Sequence, residues 1–423
     1  MDDLTASFFI QNRFKLKRIL PPSAAVVISS ARPVLRNGDQ YYPYRQSSDM
    51  YYLTGVHQAG CTLVIAAGSG EDRFSEALFI PGPDEKTTRW EGAQLSPGEA
   101  QVISGIKDIQ LNKNLGRFAG EMLKACDYVY YGTKDGIFPS NELEVKKATA
   151  ALSGHLKELD LVPLLTRLRM IKEPEELGMI SDAIRISGEA FDRVLRTIRP
   201  GMREYAVEAL LSYELRMNGV REHAFDPIVA SGKNALTLHY TENKGVCNDG
   251  DLLLMDFGAV RKYYAADISR TIPVNGTYSK RQRELYDAVL RVLQQAIQRM
   301  RPGKLLREYH REVGLLWQEE HLRLGIYSMK ELNDHRGIDP LWKEYYWHGT
   351  SHSIGLDVHD RFNQDAVLAP GMVLSCEPGI YIPEEGIGIR IENDLLLTDN
   401  GVVDLTREIP LEAEAIEAIM HAS

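Results

Sequence analysis

The chain has 423 residues, 44% apolar and 26% charged, with a formal net charge of −10. That length exceeds what one hydrophobic core usually fills, so two domains are expected. The acidic balance disfavours nucleic acid or an anionic membrane surface as a partner. No stretch reaches the roughly 20 apolar residues of a membrane-spanning helix. The start, MDDLTASFFIQNRFKLKRIL, lacks the apolar run of a secretory signal. The four cysteines, Cys61, Cys126, Cys247 and Cys376, are far apart and form no CxxC pair. Reduced thiols and a cytoplasmic location follow as expectations.

Up to about residue 160, short β-rich runs alternate with helical ones. AAVVISS (24–30), CTLVIAA (61–67), SEALFIP (75–81) and DYVYYG (127–132) predict buried strands. SPGEAQVIS and RFAGEMLKAC predict helices between them, and the alternation predicts an α/β domain over residues 1–163. The pattern then changes. From LVPLLTRLRMIKEPEE onward long 3.6-period helices dominate, with Pro174 and neighbouring acids marking a helix start. A second, α+β domain is assigned to residues 164–423.

This second domain carries a faint internal repeat. RPGMREYAVEALLSYELRMNG begins at Arg199 and RPGKLLREYHREVGLLWQEEHLRLG at Arg301; each predicts a turn followed by an amphipathic helix. Downstream, GDLLLMDFG (250–258) matches GMVLSCEPG (371–379) in its Gly-to-Gly frame, which registers Asp256 with Glu377. Each half then offers a second acid, Asp267 in YYAADISRTIPV and Glu392 in GIRIENDLLLT. One acid at a strand end is ordinarily a turn or salt-bridge residue. Four carboxylates around one pseudo-twofold axis, on apolar strands, are costly unless a cation joins them. Four carboxylates and one imidazole can hold two divalent ions. An oxygen-rich set without thiolate favours Mn²⁺, Co²⁺ or Fe²⁺, with Zn²⁺ an alternative.

The imidazoles are concentrated in HGTSHSIGLDVHD (348–360), which holds His348, His352 and His359 of only 11 histidines in the chain. This run resembles the HGxSHxxGLDVHD motif of Xaa-Pro aminopeptidases and prolidases, the creatinase-like pita-bread metallopeptidases. LHYTEN (238–243), DFGAVRKYYAADISRTIPV (256–274), LSCEPGIYI (374–382) and GIGIRIEND (386–394) resemble the family's other motifs, in order. YPYRQSSDMYYLTG (42–55) and Trp90 in TTRWEGAQLS resemble the N-terminal domain of the aminopeptidase P branch.

The resemblance implies a creatinase-like N-terminal domain and a pita-bread catalytic domain with a pseudo-twofold repeat. It implies metal ligation by Asp256, Asp267, His352, Glu377 and Glu392, with Asp267 and Glu392 bridging two ions. It places His239 and His359 near the scissile amide, His348 in the substrate pocket and Arg390 behind the ligands. Glu377 would also handle the proton of the attacking water. The implied reaction is release of the N-terminal residue from peptides with proline in second position, by attack of a metal-bridging water or hydroxide. The implied assembly is a dimer or tetramer. Two rivals stand beside this reading: a prolidase confined to Xaa-Pro dipeptides, and a pita-bread domain reused as a peptide-binding module. The module reading expects lost ligands, whereas no ligand position here is substituted. Neither HExxH nor GxSxG occurs. The chain departs from many relatives at Arg361 and Phe362. It also carries an insertion over residues 325–349, whose Trp342, Tyr345, Tyr346 and Trp347 either line the substrate entrance or anchor a surface loop.

Overall fold

A computed structural model of the chain describes residues 4–68, 73–132, 143, 145–147, 156–363 and 365–422. The chain divides into two compact units, Met1–Leu168 and Arg169–Ser423.

The first unit is built on a six-stranded sheet in the order Ile109–Leu111, Phe74–Ile80, Thr62–Ala67, Ala24–Ser29, Tyr128–Tyr131, Lys157–Asp160. The four strands expected from apolar runs are its centre, and Ala24–Ser29 is buried along its whole length. The two edge strands were not expected. KELD has no apolar alternation and joins the sheet through backbone pairing with Tyr128–Tyr131. Trp90 is 82% exposed on the Glu85–Glu91 helix, which buries none of its side chains.

The second unit repeats one arrangement twice. In the first half the helices Pro174–Thr197 and Glu204–Met217 pack together. They are followed by a three-stranded antiparallel sheet, Ile268–Pro273, Leu252–Phe257, Ile228–Ser231. In the second half the helices Lys280–Arg299 and Leu306–Leu324 pack together. The sheet Val373–Cys376, Asn393–Thr398, Gly401–Asp404 follows, with the Gly379–Ile382 and Ile387–Arg390 hairpin beside it. Local signals set the helix starts. Pro174 opens its helix behind a Glu173–Glu176 capping box, and Ser279 caps Lys280–Arg299 with Gln282.

The glycines that close the two matched frames have one physical cause. A side chain at Gly258 would meet the Ala266 carbonyl oxygen at 1.8 Å, and one at Gly379 would meet the Ile389 carbonyl oxygen at 3.0 Å. In each half the chain returns against the glycine backbone, which brings the second acid back beside the first. Register completes this: Asp256 lies opposite Ser269, and Ser375 opposite Asp394.

The halves also hold each other. The Asp267 amide donates to Asp394 Oδ2 at 3.1 Å, and the Glu392 amide donates to the Ser269 carbonyl at 3.0 Å. Each half's second acid therefore has its backbone fixed by the opposite half. The first acid follows an apolar strand whose Leu252, Leu253, Leu254, Met255 and Phe257 are all buried.

Candidate metal centre

The acids meet where the two sheets adjoin. Asp256, Asp267 and Glu392 offer oxygens within 4.8 Å of one another, and so do the ligand atoms of His352, Glu377 and Glu392. Asp267 and Glu392 are buried; Asp256 and Glu377 are half-buried. His352 Nε2 lies 3.3 Å from Asp267 Oδ2, 3.5 Å from Glu377 Oε1 and 3.9 Å from Glu392 Oε1.

The ring state of His352 follows from its neighbours. Nδ1 lies 3.2 Å from the Ser353 carbonyl oxygen, which can only accept, so Nδ1 carries the proton. Nε2 then turns a lone pair toward three carboxylates. Burial, followed by the nearby His359 ring, pushes its pKa down to about 4, so the ring is neutral near pH 7. A lone pair facing carboxylates is repulsive unless a cation lies between them.

The acids carry the same strain. Burial, with crowding by Asp256, pushes Glu377 up to about 8 although Arg390 pulls it down. Burial first, and then the other acids, raises Asp267 and Glu392 well above the usual carboxylate range. Asp256 Oδ1 and Glu392 Oε1 are buried without a hydrogen-bond partner. Orphaned oxygens, acids that resist ionisation and an imidazole lone pair all point inward. This donor set fits divalent cations.

Arg390, fully enclosed, stands behind the cluster. It donates to Asp256 Oδ2 at 2.6 Å, to the Tyr381 hydroxyl at 2.9 Å and to Ser269 Oγ at 2.9 Å. Tyr381 continues the chain to His348 Nε2 at 2.8 Å, while His348 Nδ1 donates to the Gly349 carbonyl. His348 is thus a neutral ring tied to Arg390 through Tyr381, with its pKa pushed down to about 3 by burial and then by Arg390. Its Nδ1 is 3.4 Å from Glu377 Oε2.

His359 and His239 are both exposed. The His359 ring is 4.3 Å from that of His352, and its ligand atoms also fall within 4.8 Å of those of Asp267 and His352. Distance alone therefore allows His359 on an ion. His239 lies between Leu238 and Tyr240, which pack on the cluster containing Tyr381 and Trp347.

The second half of the histidine run has its own anchor. Asp360 is buried and paired with Arg169 and Lys172, both buried, with Lys172 Nζ at 3.2 Å. A side chain at Gly355 would meet the Asp360 carboxylate at 2.1 Å. This ion cluster pins the backbone next to His359.

The 325–349 insertion mostly anchors itself. Trp342 packs where Gly314 leaves room, Tyr345 meets His321 edge-on, and buried Tyr346 donates to Thr350. Trp347 stacks on Tyr381 at 4.8 Å, and the Tyr346 ring meets His348 edge-on at 4.9 Å. Cys376 is buried beside the Tyr309 hydroxyl at 3.4 Å, and burial pushes its thiol up to about 12, so it is an inert core residue.

All five expected ligands and Arg390 converge here, with His348 and His359 adjoining them. Sequence reading passed over Ser269, Ser375, Tyr381, Asp394, Arg169 and Lys172. Their only signal was position: Ser269 and Ser375 sit two residues from an acid, the spacing that shares a face of an extended strand.

Residues 178–399 match metallopeptidase family M24, and residues 9–130 match the N-terminal domain of aminopeptidase P. The chain is 35% identical to the Xaa-Pro aminopeptidase of Escherichia coli strain K12, over 100% of this chain and 99% of that protein. It is 32% identical to the Xaa-Pro aminopeptidase of Haemophilus influenzae, again over 100% and 99%. A solved structure of zinc-substituted E. coli aminopeptidase P in complex with product superposes with a TM-score of 0.91 at 34% identity, covering 100% of this chain and 99% of that one. A variant of the same enzyme in complex with substrate gives 0.91 at 33% identity over the same shares.

Proposed function

The chain belongs to metallopeptidase family M24, and from that premise we propose that it is a metal-dependent Xaa-Pro aminopeptidase. It releases the N-terminal residue of peptides whose second residue is proline. The observation that carries this reading is the inward-facing cluster of Asp256, Asp267, His352, Glu377 and Glu392 with its two orphaned carboxylate oxygens. These five residues would hold two divalent ions, and the oxygen-rich set favours Mn²⁺. When bound, the ions supply polarisation of the scissile carbonyl and a lowered pKa for the attacking water.

The chain's own residues do the rest. Glu377, beside His348 and His352, would take a proton from the attacking water. The leaving nitrogen is proline's, which has no hydrogen in the substrate and must gain one to depart. His359, exposed next to His352, would give that proton, and His239 would donate toward the carbonyl oxygen. The Arg390–Tyr381–His348 chain holds Asp256 and the pocket wall rigid.

Residues 164–423 form the catalytic domain in this reading, and the protein works in the cytoplasm as a dimer or tetramer. Free, buried cysteines support a reducing compartment. Among the described residues no helix is long and apolar enough to cross a membrane.

The test uses metal-stripped protein with Ala-Pro-Ala and Ala-Pro, with and without Mn²⁺. Metal-dependent release of alanine from the tripeptide is expected. Cleavage of the dipeptide alone moves the assignment to a prolidase, and failure on both peptides while Mn²⁺ binds removes the substrate assignment.

A further inference from the structure

Two of the ligand acids share one geometry. Asp256 has Oδ2 taken by Arg390 and Oδ1 left buried and unpartnered. Glu392 has Oε2 taken by the Ser269 hydroxyl at 2.9 Å and Oε1 left buried and unpartnered. Ser269 is itself held by Arg390, whose Nε donates to its Oγ at 2.9 Å. An arginine only donates, so Ser269 Oγ accepts there and its single proton is free to go to Glu392. Ser269 has no exposed surface, so water does not compete for that proton. One guanidinium thus orients two carboxylates, one directly and one through a serine.

We propose that Ser269 is a positioning residue of the metal centre: its hydroxyl, aimed by Arg390, holds Glu392 through Oε2 and so sets how that carboxylate faces the ion site. The proposal rests on the reading of Asp256 and Glu392 as ligands. Ser375 makes a partial counterpart. It accepts from the His352 amide at 3.0 Å and donates to Glu377 Oε1 at 3.3 Å, an oxygen that already faces His352. Ser269 therefore orients Glu392 by a hydrogen bond, whereas Ser375 steadies an oxygen that already faces His352.

The test is calorimetric titration of metal-stripped protein with Mn²⁺ alone, beside melting curves of the metal-free forms. Ser269→Ala is expected to bind the ion about 10- to 100-fold more weakly, the range seen when a group orienting a ligand is removed. Ser269→Thr, which keeps the hydroxyl, is expected to stay near wild type. Wild-type affinity in Ser269→Ala overturns the proposal, whether or not its metal-free melting temperature falls. If Ser269→Ala does not fold, Ser269→Cys decides, since a thiol keeps the volume but donates weakly. Weakened binding there supports the proposal and unchanged binding overturns it. A wild-type protein that takes up no Mn²⁺ overturns the reading of the site itself, a result distinct from either.

Discussion

The two halves of the catalytic unit match in their acids and differ in the side chains around them. Each brings a first acid at the end of an apolar strand and a second acid on the returning chain, Asp256 and Asp267 against Glu377 and Glu392. The first half adds a serine and an exposed histidine, Ser269 and His239. The second adds His348, His352 and His359, with Arg390 and Tyr381. The repeat therefore builds a nearly symmetric cradle. The imidazoles around it come mainly from the second half.

Removing a ligand should break the cradle outright. His352→Ala is expected to lose at least one ion and to lower kcat/KM by on the order of 10³-fold, since the ions supply several kcal/mol of transition-state stabilisation. Metal content and peptide hydrolysis measured on the same preparation check this. Removing a one-sided group should leave the cradle intact. His359→Ala is expected to keep both ions and to lose about 10²- to 10⁴-fold in kcat, the usual range for a proton donor. Because His359 also lies within ligand reach of Asp267 and His352, an emptied site in that variant would reassign it from proton donor to ligand.

The smallest effect is on stability without metal. Glu377, raised to about 8, with Asp267 and Glu392 also raised, holds protons in the folded form that the unfolded chain releases. Glu176, pushed up to about 7 by burial, acts in the same direction. Their contribution is present at low pH and is lost as pH rises through the folded values. The buried histidines have pKa values lowered from 6.5, so they oppose this only below that pH. The melting temperature of metal-free protein should fall between pH 6.5 and about 8, and saturating Mn²⁺ should flatten the decline. A rising metal-free curve would contradict the crowding of these acids.

The cradle was legible because its cause is periodic. Gly-to-Gly frames, apolar strands and an acid at a fixed place in each can be read from a linear string. The supports were not legible, because they depend on which side chains meet across the seam. Asp394 and Ser269 touch the opposite half, 127 and 123 residues away, and nothing in SRTIPV or ENDLLL announces it. Arg169, which ends the Val162–Arg169 helix, and Lys172, just before the Pro174 helix start, lie 191 and 188 residues from Asp360.

The reciprocal amide contacts at the seam set an order on synthesis. A chain growing from its N-terminus displays Asp256 and Asp267 more than a hundred residues before Asp394, the group that fixes the Asp267 amide, leaves the ribosome. Until then the first half has two acids and no partner for them. The complete cluster can therefore assemble only late in synthesis, and a chain stalled before Glu377 carries half a cradle.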